Sequence, residues 1–98
     1  MRMNLTEEQL ERVYEYAGLF LSPEEIAVLI KAEVTDFIRE VKSKTGPVYL
    51  QYMRGKTESK RAIRENVVKM AKHGSPQAED LAEKYMSEQK IAEKNARR

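Results

Sequence analysis

The 98-residue sequence has no cysteine, no tryptophan and a single histidine. Without cysteine the chain can form neither disulfides nor thiolate metal sites. One histidine is too few for a His-Glu-x-x-His metal site, and no glycine-rich phosphate loop precedes a predicted helix. Most carboxylates stand beside lysines or in first helical turns, as on solvated faces and caps. We therefore predict a protein that is not an enzyme and that needs no metal or other cofactor.

Long apolar segments are missing as well. No run of roughly 18 apolar residues occurs, so we expect no membrane-spanning helix and no membrane partner. Residues 1–4 lead into an acidic helix instead of an apolar segment, so we expect no secretion signal. With the absence of cysteine, these features predict a cytoplasmic protein.

The basic residues are concentrated in one part of the chain. The net charge is only +2, yet residues 47–74 hold seven basic and two acidic side chains, a local net charge of +5. A positive field of this kind attracts polyanions such as nucleic acids.

Capping boxes mark the beginnings of the first two helices. In the first, Thr6 and Gln9 can each bind the other's backbone amide, and apolar residues at helical spacing then predict a helix over about 7–17. In the second, Ser22 and Glu25 repeat the device around Pro23, which predicts a helix over about 23–31.

The third and fourth helices are marked by a cap and by a glycine-proline pair. We predict that Thr35 caps the third helix and that Gly46-Pro47 closes it. A long helix is then predicted over 48–73. Gly55 lies in its middle, so two helices hinged at Gly55 are the alternative to one continuous helix.

The last helix begins after a second strong stop signal. We predict that Gly74 takes the left-handed conformation and that Ser75 caps the next helix. His73, at the end of the long helix, is predicted to interact with the last carbonyls of that helix.

These patterns predict an all-α fold with about five helices in one small domain over 1–94. A helix-turn-helix covers about 22–45, and the long and C-terminal helices follow over about 47–92. The tail, 95–98, is predicted to be frayed.

The second and third helices have the spacing of a helix-turn-helix, in which two short helices are joined by a turn of three or four residues. Ile26, Ala27 and Ile30 are predicted to face inward, and Phe37 to anchor the second of the two helices. Lys31 stands where the turn usually has glycine. An ordinary helical hairpin is the alternative.

The outer face of the third helix is predicted to carry both acidic and basic residues. They are expected among Thr35, Asp36, Arg39, Glu40, Lys42 and Ser43. Because Asp36 and Glu40 would repel phosphates, the signal for direct base recognition is weak. In this helix and directly after it, we predict DNA contacts at Arg39, Lys42 and Lys44 only.

A cationic stripe on the long helix carries more electrostatic weight. Lys56, Lys60 and Arg64 follow each other at intervals of four residues, which places them on one helical face, and Arg54 and Arg61 lie on an adjacent face. These five side chains are predicted to contact DNA phosphates, which would make binding strongly dependent on salt. A merely solvated face is the alternative.

The order of these motifs resembles that of phage terminase small subunits. The similar pieces are Leu21-Ser22-Pro23-Glu24-Glu25-Ile26-Ala27, Phe37, Tyr49-x-x-Tyr52-x-Arg54-Gly55-Lys56, Arg64, and Ala71-Lys72-His73-Gly74-Ser75-Pro76-Gln77-Ala78. The resemblance implies a DNA-packaging protein that recognises double-stranded viral DNA through its helix-turn-helix. It also implies assembly into a homo-oligomeric ring and contact with the large terminase subunit.

The leading hypothesis is therefore a phage or prophage DNA-binding protein. A helical interaction or assembly subunit without DNA binding is the alternative. A transcriptional repressor would share the DNA-binding prediction but would be a two-fold dimer on a palindromic site.

Overall fold

The computed structural model describes residues 3–96 and has five helices and no strand within that range. The helices are α1 (Glu7–Ala17), α2 (Pro23–Leu29), α3 (Val34–Lys42), α4 (Gly46–Lys72) and α5 (Pro76–Ala96). This confirms the all-α prediction. The chain divides into two compact units, Met1–Lys60 and Arg61–Arg98. The expected single domain over 1–94 stays a prediction, and each unit is described by itself.

Both predicted capping boxes are present in the first unit. The Gln9 amide donates to the Thr6 hydroxyl at 3.0 Å, and the Thr6 amide donates back to Gln9 Oε1 at 2.9 Å. Ser22 and Glu25 form the same reciprocal pair, at 3.2 and 2.9 Å. These local bonds satisfy amides that a helix leaves open at its beginning, which is why the sequence located these two starts correctly.

Residues from α1, α2, α3 and the beginning of α4 form the core of the first unit. Its buried members are Val13, Ala17, Ile26, Ala27, Ile30, Phe37 and Val48. The predicted inward residues of the helix-turn-helix are all among them. A further bond joins α1 to the end of α2, since Gln9 Nε2 donates to the Ile30 carbonyl oxygen at 3.0 Å.

Two predicted helix boundaries between α2 and α3 were wrong. α2 ends at Leu29 instead of residue 31, because Lys31 has a φ of 60° and turns the chain out of the helix. α3 begins at Val34, and its cap is Glu33, whose side chain accepts from the Asp36 amide at 2.6 Å. Thr35, the predicted cap, lies inside α3.

α4 is one continuous helix through Gly55, so the hinged alternative is wrong. Its beginning also differs from the prediction. Gly46, with a φ of 86°, is its first residue instead of only closing α3, which ends at Lys42.

The second unit contains the end of α4 and all of α5. Gly74 has a φ of 93°, and the Ser75 hydroxyl accepts from the Ala78 amide at 3.4 Å, as predicted. His73 Nδ1 lies 2.8 Å from the carbonyl oxygen of Lys69, the predicted position at a helix end.

The predicted fraying of the tail stays a prediction. Asn95 and Ala96 belong to α5. Arg97 and Arg98 lie outside the described residues.

Candidate nucleic-acid interface

The turn between α2 and α3 is a tight left-handed cap. The Ala32 amide donates to the Ala27 carbonyl at 2.9 Å, and the Lys31 amide donates to the Val28 carbonyl at 3.2 Å. This pair of bonds is the Schellman arrangement, which ends a helix with one residue of positive φ. Lys31 is that residue, so the position where the motif usually has glycine adopts the glycine conformation even with lysine.

The face of α3 that points away from the core consists of Thr35, Arg39 and Lys42. All three are exposed, and their spacing of four and three residues places them on one helical stripe. Phe37 and Val41 lie on the opposite side and pack against the core. Exposed lysines flank the stripe in sequence, with Lys31 before α3 and Lys44 after it. The stripe offers hydroxyl, guanidinium and ammonium donors on one surface.

Glu40 is buried, which corrects its predicted outward orientation. Only 7% of the residue is exposed. It follows Phe37 by three residues, so the helix places both on the inner side. Because this carboxylate is inside, it cannot contact a phosphate at the outer face of α3, where Asp36 is the carboxylate beside Arg39.

Asp36 holds Arg39 in a surface ion pair. Arg39 Nη2 lies 2.9 Å from Asp36 Oδ1, and the two side chains are 63% and 47% exposed. Exposed pairs of this kind contribute about 0–1 kcal/mol, so the guanidinium can leave the carboxylate at little cost. Arg39 therefore remains available to a competing phosphate or base.

Three of the predicted α4 contacts lie in the first unit. Arg54 and Lys60 are exposed, and Lys56 Nζ lies 5.5 Å from the centre of the Tyr52 ring, within the range of a cation–π contact. Among the described residues, none of the three forms an ion pair with a carboxylate. Their charges are open to solvent anions.

The other two predicted α4 contacts lie in the second unit and are engaged there. Arg61 pairs with Glu65 one turn later. Arg64 lies with its guanidinium 4.1 Å from the centre of the Tyr85 ring, and its Nη2 is 2.8 Å from Glu88 Oε2. The stripe of five phosphate contacts therefore stays a prediction, and its two arginines in the second unit would have to exchange existing partners.

Sequence reasoning did not single out Lys31 as a candidate contact residue. It was noted only as a replacement for glycine, although a lysine at the turn of a helix-turn-helix is exposed by the left-handed backbone itself. That positional signal could have identified it.

Two further kinds of site were looked for in the described part of the chain, a metal centre and a membrane span. Residues 3–96 contain no cluster of three or more His, Asp or Glu side chains that could hold a metal ion. None of the described helices combines the length and the apolar character that crossing a bilayer requires.

No protein-family model, curated protein or solved structure matches the chain. The likeness to terminase small subunits rests on the residue pattern of this chain alone.

Proposed function

We propose that the first unit binds double-stranded DNA with the outer face of α3 in the major groove. The observation that carries this proposal is the exposed stripe of Thr35, Arg39 and Lys42 on a helix-turn-helix whose Glu40 is turned inward. An α-helix fits the major groove of B-DNA, and donors on its outer face meet base edges and phosphates there.

The side chains divide into two roles under this proposal. Thr35 lies near the beginning of α3 and Arg39 near its middle, where helix-turn-helix proteins contact bases. Arg39 can donate two hydrogen bonds to a guanine. Lys42, Lys44 and Lys31 supply phosphate contacts that fix the position of the helix on the duplex. Arg54, Lys56 and Lys60 add further phosphate contacts from α4.

The biological role that fits best is that of a phage or prophage packaging protein similar to a terminase small subunit. Support comes from the order of the capped helix-turn-helix, the long basic helix and the Gly74-Ser75 turn. In this role the chain would mark viral DNA for the large subunit and would itself catalyse no reaction.

Fluorescence anisotropy with a labelled duplex across a salt series tests the proposal. If each of the six cationic side chains assigned to phosphate contacts neutralises one phosphate, the logarithm of the association constant falls with the logarithm of salt concentration with a slope of about −5. Absence of binding to any duplex at low salt, from a pool of random sequences, would end the proposal.

A second candidate function is an assembly subunit, and the second unit favours it. Ala78 is the only buried residue among 61–96, and large apolar side chains there are exposed. These are Ile63, Val68, Met70, Leu81, Met86 and Ile91. A helix pair that buries so little gains little stability by itself and is stabilised by a partner. Light scattering at tens of micromolar tests this, and a strictly monomeric species would exclude self-assembly at that concentration.

A further inference from the structure

Two residues of α5 hold Arg64 of α4 from different sides. The guanidinium lies 4.1 Å from the centre of the Tyr85 ring, and Arg64 Nη2 donates to Glu88 Oε2 at 2.8 Å. The Arg64 side chain is 30% exposed, whereas Arg39 is 63% exposed in its pair with Asp36. Because Arg64 has a ring contact in addition to its ion pair, it is held more firmly than an arginine in an exposed pair within one helix.

The two contacts use different parts of the guanidinium. An aromatic ring stacks on its planar face, and a carboxylate binds the N–H donors at its edge. The same edge donors bind phosphate in nucleic-acid complexes. A phosphate can therefore replace Glu88 while Arg64 stays stacked on Tyr85. Arg64 on this ring is an anion site, and in this structure the chain's own carboxylate occupies it.

The surroundings of this site on α4 favour a polyanion. Arg64 and Lys72 lie eight residues apart on one face of the helix and border the same open surface. Lys72 is exposed and forms no ion pair with any described residue. Glu65 also borders this surface, but it is paired with Arg61. Unpaired positive charge beside the site suits the repeated phosphates of a nucleic acid better than a single acidic side chain.

We propose that the Arg64 site takes a DNA phosphate and that Glu88 competes with the phosphate for it. This inference rests on the proposed DNA binding and adds an inhibitory contact to it, since Arg64 is not among the phosphate contacts assigned above. While Glu88 occupies the site, Arg64 contributes little to DNA affinity. Without the Glu88 carboxylate, the Arg64 edge donors become a further phosphate contact.

The fluorescence anisotropy assay with Glu88→Gln in the full chain tests the competition. Affinity for duplex DNA at low salt is expected to rise about two- to fivefold, the range that an exposed ion pair can account for. The salt slope is expected to become steeper by about 0.9, the value for one additional phosphate. Glu88 is exposed and the Tyr85 stack remains, so circular dichroism should show unchanged helix content.

Two controls separate this contact from a general effect of charge. Glu83→Gln removes the same charge from an exposed position of α5 that forms no ion pair with any described residue, and it should leave the salt slope unchanged. Arg64→Ala combined with Glu88→Gln should abolish the gain in affinity. In the wild-type background Arg64→Ala should change affinity little.

The possible results are distinguishable from failure of DNA binding itself. If Glu88→Gln binds duplex with wild-type affinity and slope, the competition is overturned while DNA binding by the first unit stands. A gain that survives Arg64→Ala, or that Glu83→Gln reproduces, would likewise overturn it. If neither the wild-type chain nor Glu88→Gln binds duplex at low salt, the proposed function and the competition both fail.

Discussion

The backbones of α1 and α4 meet at Gly55 and Tyr14. A Cβ atom added to Gly55 would lie 2.0 Å from the Tyr14 carbonyl oxygen, well inside van der Waals contact. Gly18 lies at the same crossing on the α1 side. A Cβ added to Gly18 would lie 2.8 Å from Ser59 Oγ and 3.3 Å from the Gly55 carbonyl oxygen. Gly55 therefore permits a close helix crossing, and α4 runs through it without a break.

Gly55→Ala is expected to destabilise the protein by about 1–3 kcal/mol or more, because the new methyl group forces the two helices apart. A glycine that only interrupted a helix would show the opposite sign, since alanine would then stabilise it by about 1 kcal/mol. Urea unfolding followed by circular dichroism measures the change. Thr57→Ala, at an exposed position of the same helix, serves as the control and should be nearly neutral.

Lys31→Gly is expected to stabilise the first unit relative to Lys31→Ala by about 1 kcal/mol. Both variants remove the same charge and side chain, but only glycine adopts a φ of 60° without steric strain. The comparison is made by urea unfolding of the two variants side by side. Equal stability of the two would show that this turn does not hold residue 31 in the left-handed conformation.

The sequence predicts those parts of the fold that depend on neighbouring residues. Thr6 and Ser22 cap helices through bonds that span three residues, and Gly74 ends one through its own backbone, so each signal is local. The sequence predicted an outward Glu40 because the residue is charged, although it lies three residues after the inward-facing Phe37. Only the folded core shows that this position is buried.

Contacts between distant residues could not be derived in this way. The Gly55 crossing depends on α1, some forty positions earlier in the chain. The pairing of Arg64 with Glu88 spans 24 residues and depends on how α5 returns along α4. A pattern of charges at helical spacing identified Arg64 as cationic, but it contained no information on which carboxylate would hold it.

Arg64→Ala is expected to lower the stability of the second unit by about 1 kcal/mol, since it removes both the Tyr85 stack and the Glu88 pair. Arg64→Lys should recover only part of this, because an ammonium lacks the planar guanidinium face. Thermal unfolding measures both. In the DNA assay Arg64→Ala should weaken binding less than Lys42→Ala does. The opposite order would mean that Arg64 leaves its internal partners to bind phosphate.

Asp36→Asn is expected to strengthen DNA binding roughly fivefold at low salt, which corresponds to about 1 kcal/mol. The change removes the acidic group that pairs with Arg39 on α3 and so releases the guanidinium from its ion pair. Stability should fall by no more than about 1 kcal/mol, from loss of an exposed pair and of a favourable charge in the first turn. Anisotropy titration gives the affinity.

Glu11→Gln is the control for Asp36→Asn. It removes the same charge from an exposed position on α1 and should change DNA affinity much less. Equal strengthening by the two variants would indicate a general charge effect instead of a contact through α3.

Nuclear magnetic resonance of the isotopically labelled full chain, titrated with duplex DNA, tests whether α3 enters the DNA groove. If α3 enters the groove, the largest amide shifts at low occupancy cluster at Thr35, Arg39, Lys42 and Lys44. Shifts confined to α5, or to the acidic α1, with α3 unchanged, would contradict it.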